Sequence, residues 1–278
     1  MMKLVDCHSH TVHYSTDAAQ TVAELIQDAR DHNLAGICLT DHYDKDVNYT
    51  GIEHIFDLPE YFSHLNQVRA VADPLDPQLY IGIELGWMPH LTRLFNEIIA
   101  TWPFDSVILS LHNMDGDKDI FVDRSVYDQG PLAAYSRALT QMVDMMSCCP
   151  DFTILGHYDY VSRYFPGKTT RMDYAPLAKE FDALFEHLIG HGKALELNTR
   201  TALKFKNQGL AGAKAWPDPV IFKRYLEMGG QYISLSSDSH QSGQAATLFP
   251  EALDFLKSVG VRQLTHFNNK KPVLTPVI

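Results

Sequence analysis

The chain is 278 residues long, 45% hydrophobic and 21% charged, which excludes a disordered chain and a small disulfide-stapled domain. A formal net charge of −11 argues against nucleic acid and an anionic membrane as partners, yet leaves room for a local cationic pocket. No run of about 18 apolar residues occurs, so no membrane-spanning helix is expected. The N-terminal MMKLVDCHSH lacks a charged region followed by a long apolar stretch, so no targeting segment is expected. Cys7, Cys38, Cys148 and Cys149 show no zinc-site spacing, and such cysteine usage points to a reducing, cytoplasmic location.

In chain order, short apolar runs alternate with longer helical patterns. Strands are expected at 3–7, 35–40, 79–83, 106–111, 152–156, 194–197 and 232–236, rich in Val, Ile, Leu and Tyr as strands buried on both faces are. Helices are expected at 21–32, 58–72, 90–101, 132–146, 174–191, 219–228 and 250–259. Pro131, Pro176 and Pro219 fall in first turns, Asp218 stands as an N-cap, and Gly192, Gly229 and Gly260 stand where helices end. Repeated strand–helix units imply a parallel α/β sheet with right-handed crossovers. Their number favours a closed barrel over an open doubly wound sheet, formed as a single domain over 1–278. Long connections at 43–57, 113–130 and 160–173 all follow strands, on the face where such barrels place active sites.

The residues after each strand carry the chemistry. They are His8 and His10, then Asp41 and His42, then Glu84, then His112, then His157 and Asp159, then Glu196 and Asn198, then Asp238 and His240. A single His at a strand end usually makes a structural hydrogen bond, and Glu84 alone would read as a helix cap. The joint pattern differs, because His, Asp and Glu fill only 48 of 278 positions yet recur after all seven strands. Imidazole and carboxylate are ligands of Zn, Fe and Mn. Clustering them without cations would cost repulsion and desolvation. About nine candidate ligands exceed what one ion uses, so two to three divalent transition metal ions are expected. Ions about 3.5–4 Å apart can clamp an in-line displacement at phosphorus. Arg163 and Arg200 follow the fifth and sixth strands, and their planar forks suit phosphate oxygens; Lys168 is a weaker candidate.

His8-x-His10, Asp41-His42, His157 in Gly-His-x-Asp, and Asp238-x-His240, in this order, closely resemble the four motifs of the polymerase and histidinol phosphatase (PHP) superfamily. The resemblance covers essentially the whole chain. Leu111-His112-Asn113 before a long loop, GHYDYVSRY and LELNT look similar to the stand-alone histidinol-phosphatases. The resemblance implies a distorted (β/α)7 TIM-like barrel with a trinuclear site. It implies that His8, His10, Glu84 and Asp238 bind one ion, and that Glu84 bridges to a second held by His112 and His157. Asp17, His42 and His240 would hold the third, with His13 competing for the place of Asp17. Asp41, Asp159 and Asn198 are expected to orient ligands, and Asp41 is counted with Arg163 and Arg200 among the catalytic residues. Both arginines would bind the phosphoryl group.

The implied substrate is L-histidinol phosphate, a small phosphorylated molecule, cleaved to L-histidinol and phosphate. Asp44, Asp46, Asp115, Asp117 and Tyr164 could receive its amine and imidazole, though each also reads as a solvated loop residue. The amidohydrolases also open with His-x-His on a barrel, but their fourth strand carries a modified Lys where this chain has His112. Another phosphate ester as substrate and a non-catalytic metal-binding module are the remaining alternatives. His32, His54, His64, His90, His187, His191 and His266 are assigned no function.

Overall fold

Seven apolar runs form parallel strands in the computed structural model, which describes residues 4–46, 53–167 and 171–277. They are β1 Val5–Ser9, β2 Gly36–Leu39, β3 Gln78–Gly86, β4 Ser106–Ser110, β5 Ile154–Leu155, β6 Ala194–Asn198 and β7 Ile233–Ser236, paired in chain order. The two ends of the sheet meet. Asp238 N–H donates to the His8 carbonyl at 3.0 Å, and His10 N–H donates to the Ser239 carbonyl at 2.9 Å. The segment after β7 therefore lies along β1, and the α/β sheet is a nearly closed barrel rather than an open doubly wound sheet.

The helices are α1 Val22–Asp31, α2 Leu58–Val71, α3 Thr92–Thr101, α4 Pro131–Cys148, α5 Tyr160–Arg163, α6 Ala178–Gly190, α7 Thr199–Asn207, α8 Pro219–Glu227 and α9 Phe249–Ser258. Their starts follow the local chemistry. Thr21 and Glu24 form a capping box on α1, and the Asp218 carboxylate accepts from Val220 N–H at the start of α8. Pro176 sits in a 3-10 turn, so α6 begins later than the expected 174. Helices α5 and α7 were not anticipated, because each begins almost directly off a strand end. Also unanticipated is the hairpin of β8 Gln263–Asn268 and β9 Lys271–Pro276. It turns through Asn269 and Lys270, both left-handed at φ 50° and 58°. No helix among the described residues is long and apolar enough to cross a membrane.

Side chains alternate along a strand, and this sorts the barrel into a shell and a lumen. Ile37, Leu39, Ile81, Ile83, Val107, Leu109, Leu195 and Leu197 face the helices in the main core. Cys38, Tyr80, Ile108, Ile154 and Ala194 meet Val5 and Cys7 in a second cluster, the lower lumen, which Phe267 of the hairpin closes. Further along the same faces the residues turn polar: Glu84 on β3, Ser110 on β4, Glu196 and Asn198 on β6, all buried. β1 breaks the alternation, because its register against β2 shifts between Asp6 and Ser9. This bulge lets Cys7 join the apolar lumen while His8, the next residue, also turns inward to reach Glu84.

Phe267→Ala should lower stability by about 3–5 kcal/mol in denaturant unfolding, because it empties the lumen floor. Metal bound per folded molecule should stay unchanged; metal loss with unaltered stability would contradict this placement.

Candidate metal centre

Glu84 ends the inward face of β3 with both carboxylate oxygens fully buried. Five imidazoles converge on it. Its Oε2 lies 3.2 Å from His8 Nε2, 3.5 Å from His10 Nε2 and 2.8 Å from His42 Nδ1. Its Oε1 lies 3.3 Å from His112 Nε2 and 2.8 Å from His157 Nε2, and accepts from Ser110 Oγ–H at 2.7 Å. The three expected groups of residues are each compact. His10 Nε2 is 3.4 Å from Asp238 Oδ1, joining it to His8 and Glu84. His112 Nε2 and His157 Nε2 are 3.5 Å apart beside Glu84. Asp17 Oδ2 lies 3.2 Å from His240 Nε2 and 3.7 Å from His42 Nε2, and those two nitrogens are 3.4 Å apart. His13 lies elsewhere, tilted against Tyr14 and His64.

Partners on the far side of two rings aim the lone pairs. His8 Nδ1 donates to Glu196 Oε1 at 2.9 Å and His112 Nδ1 to Asp44 Oδ2 at 3.1 Å, whereas the Arg200 guanidinium donates to His240 Nδ1. Each hydrogen on Nδ1 leaves Nε2 free to face the cluster. Glu196 does more: it also accepts from His157 N–H, from Ser236 Oγ–H and from Asn198 Nδ2–H. Asn198 in turn donates to Asp238 Oδ2 at 3.2 Å.

The charges are strongly coupled. Burial opposes ionisation of Glu84, yet His8, His42 and His112 hold its carboxyl well below the usual carboxylate range. Burial also opposes charge on His8, but Glu84, Glu196 and Asp238 hold it well above its ordinary value. Asp44 and Glu84 do the same for His112 against burial, and His42 is pushed up to about 9 by Glu84 and Asp17. His10 goes the other way, held well below by burial and then by His42 and His240.

An open pocket sits over the cluster, lined by Asp17, His42, Asp44, His112, His157, Arg163, Arg200, Asp238 and His240 among others. Arg163 is 2% exposed; its Nη1 lies 3.0 Å from Asp238 Oδ2 and its Nε donates to Thr201 Oγ1 at 2.6 Å. Arg200 is more open and donates to the Asp238 carbonyl at 2.8 Å. Lys168 lies outside the described residues.

Some expectations need correction. The Asp41 carboxylate accepts from Thr11 N–H at 2.6 Å and Ser15 Oγ–H at 2.8 Å, and Ser15 Oγ lies 3.4 Å from His10 Nδ1, so Asp41 reaches a candidate ligand ring through Ser15 and its direct contacts are with the loop after β1. Asp159 accepts from Thr201 Oγ1–H at 2.9 Å and thereby braces Arg163, not a ligand. Asp44 is no solvated loop residue: it is buried and holds His112. His54, assigned no function, lines the pocket, with its Nδ1 3.2 Å from Thr16 Oγ1. Asp44 and Glu196 were the missed supports, and their signal was position: both sit on the strand-end rim.

His8 Nε2, His10 Nε2, His42 Nδ1 and Glu84 Oε2 are buried without a hydrogen-bond partner, although they crowd together. Unpaired buried polar atoms are costly, and divalent ions at their centre remove that cost. Imidazole with carboxylate is the donor set of Zn, Fe or Mn, so the residues fit such ions.

A nearly closed seven-stranded parallel sheet whose rim carries this donor set is, by class, a metal-binding α/β barrel. The chain belongs to the PHP domain family, whose model matches residues 6–200. Asp238 and His240 lie beyond that match, and closure of β7 onto β1 returns them to it. The chain is similar to a histidinol-phosphatase of Lactococcus lactis, 29% identical over 272 residues, covering 97% of this chain and 96% of the relative. It is similar to a probable histidinol-phosphatase of Deinococcus radiodurans, 29% identical over 277 residues, covering 98% and 99%. The crystal structure of the Lactococcus lactis histidinol phosphate phosphatase, complexed with zinc, L-histidinol and phosphate, matches with a TM-score of 0.85 at 27% identity. It covers 98% of this chain and 100% of that one.

Metal ligands must be deprotonated, and His8, His42 and His112 are held above their ordinary values in the metal-free site. Adding Zn²⁺ to metal-free protein at pH 7 in weak buffer should therefore release protons, and apparent affinity should fall as pH falls. Binding with no proton release would contradict the assignment.

Proposed function

We propose that this chain is a metal-dependent phosphomonoester hydrolase that converts L-histidinol phosphate and water to L-histidinol and phosphate, a step of histidine biosynthesis. The observation that carries the reading is Arg163 beside the cluster. It is buried, it lines the pocket, and its Nη2 has no hydrogen-bond partner. A buried guanidinium with an unused donor next to a cationic centre calls for a bound anion. The full-length likeness to a relative complexed with zinc, L-histidinol and phosphate supports the substrate.

Two or three ions are the proposed complement: one at His8, His10, Glu84 and Asp238, one at Glu84, His112 and His157, and one at Asp17, His42 and His240. When bound, they supply Lewis acidity and hydroxide at neutral pH. The chain's own residues position the substrate. Thr201 accepts from Arg163 Nε–H and donates to Asp159, which fixes the plane of the guanidinium. The Tyr160 ring lies 5.4 Å from the Arg163 carbon and backs it. Nη2 is thus presented to a phosphoryl oxygen without reorganisation, as transition-state charge stabilisation requires. Arg200, at the open rim, closes the phosphate from the other side of Asp238. Glu196 and Asp44 keep His8 and His112 in their working tautomers. The free thiols fit a cytoplasmic location.

The test is phosphate release from L-histidinol phosphate, an aryl phosphate and a set of sugar and nucleotide phosphates, after loading with Zn²⁺, Mn²⁺ or Fe²⁺. A preference in kcat/KM of about a thousandfold, roughly 4 kcal/mol, is expected for L-histidinol phosphate. Equal, low rates on every ester would overturn the named substrate.

A further inference from the structure

Four carboxylates line the pocket, and three are paired. Asp17 faces His42 and His240, Asp44 faces His112, and Asp238 faces His10, Arg163 and Arg200. The fourth, Asp119, has no cationic side chain within ion-pair distance among the described residues. It is nevertheless 9% exposed. Burial pushes its carboxyl upward, against a partial offset from His112 and from the N–H groups of Phe121 and Val122.

Local structure explains only half of this group. Asp119 stands opposite Asn113 in a two-stranded turn that leaves directly from His112, with Ile120 N–H donating back to the His112 carbonyl at 3.0 Å. Its Oδ1 accepts from Phe121 N–H at 2.7 Å and Val122 N–H at 3.0 Å. An asparagine would make the same turn. The second oxygen accepts no hydrogen bond from a described residue, and the charge is offset only at a distance, by His112. Beside Asp119 the pocket is walled by Asn113, Tyr160 and Tyr164, with the two tyrosine rings 4.9 Å apart at 63°. Tyr160 also packs against His112 and His157, with ring centroids 5.2 and 4.9 Å apart, so this acidic and aromatic wall adjoins the candidate metal ligands.

We propose that Asp119 is the specificity-determining residue for the leaving group, pairing with a cationic amine or imidazolium while Tyr160 and Tyr164 face its flat ring. This rests on the phosphomonoesterase reading above and names what that site selects. L-Histidinol phosphate is a primary phosphate ester carrying both an ammonium and an imidazole. Binding fills the missing half of a buried ion pair, so a neutral leaving group would leave Asp119 buried and unpaired.

The experiment compares metal-loaded wild type and Asp119→Asn on L-histidinol phosphate and on propyl phosphate, which shares the ester but has no amine or ring. Asparagine keeps the turn, so the thermal midpoint and metal content should not change. The expected result is a loss of about 10–100-fold in kcat/KM on L-histidinol phosphate, with propyl phosphate cleaved as fast as by wild type or faster, because the amide removes a buried unpaired charge. An equal loss on both esters would assign Asp119 to the catalytic centre and overturn the proposal. An undiminished preference in the variant would also overturn it, while leaving the substrate reading intact. A wild type with no preference between the two esters would overturn both.

Discussion

A single buried carboxylate organises this molecule. Glu84 is sealed inside the barrel mouth and surrounded by five imidazoles. A lone ionised carboxylate there would be prohibitively costly. Protons on the histidines offset that cost in part, and divalent ions offset it better, because they satisfy nitrogens that protons leave crowded. The outer supports follow from the same constraint. Glu196 and Asp44 hold the Nδ1 hydrogens of His8 and His112, and so decide which nitrogen faces Glu84.

The barrel makes this constraint affordable by separating two environments along one set of strands. Tyr80, Ile108, Ile154 and Ala194 form a dry lower lumen with Phe267, and the residues above them on the same faces are polar. The bulge in β1 contributes what regular alternation could not, an inward His8 immediately after an inward Cys7. Closure then depends on the residues after β7. Asp238 adopts φ 55°, a left-handed conformation that is strained for a side chain other than glycine. Asp6 holds the neighbouring loop, accepting from Ser237 N–H, Ser237 Oγ–H and Ala246 N–H. A buried carboxylate in β1 thereby fixes the segment that carries Asp238 and His240.

Much of this was legible in the chain itself. The seven strands could be read because each is a continuous apolar run ending in His, Asp or Glu. Most candidate ligands were picked out for the same reason, since they stand within a few residues of a strand end, whereas Asp17, in the loop after β1, was suggested only by the family resemblance. The supports were harder to read. Whether a buried carboxylate touches metal or a ligand's far side depends on a displacement of a few ångströms across strands. Asp41 and Asp159 were read as supports, but position alone could not say which side chains they brace, Thr11 and Ser15 for one and Thr201 for the other. Asp119 lay hidden in a loop with Asp115 and Asp117, and only the pairing of Asn113 with Asp119 brings it to the pocket. The C-terminal hairpin was missed because its strands are largely exposed on one side and carry no apolar run, although Asn268-Asn269 was a usable turn signal.

The most direct measurement is anomalous X-ray scattering at the absorption edge of the loaded metal, from crystals of catalytically active protein. Metal peaks about 2 Å from both oxygens of Glu84 are expected, with His8 and His10 on one side and His112 and His157 on the other. Active crystals with no metal within ligand reach of Glu84 would contradict the account.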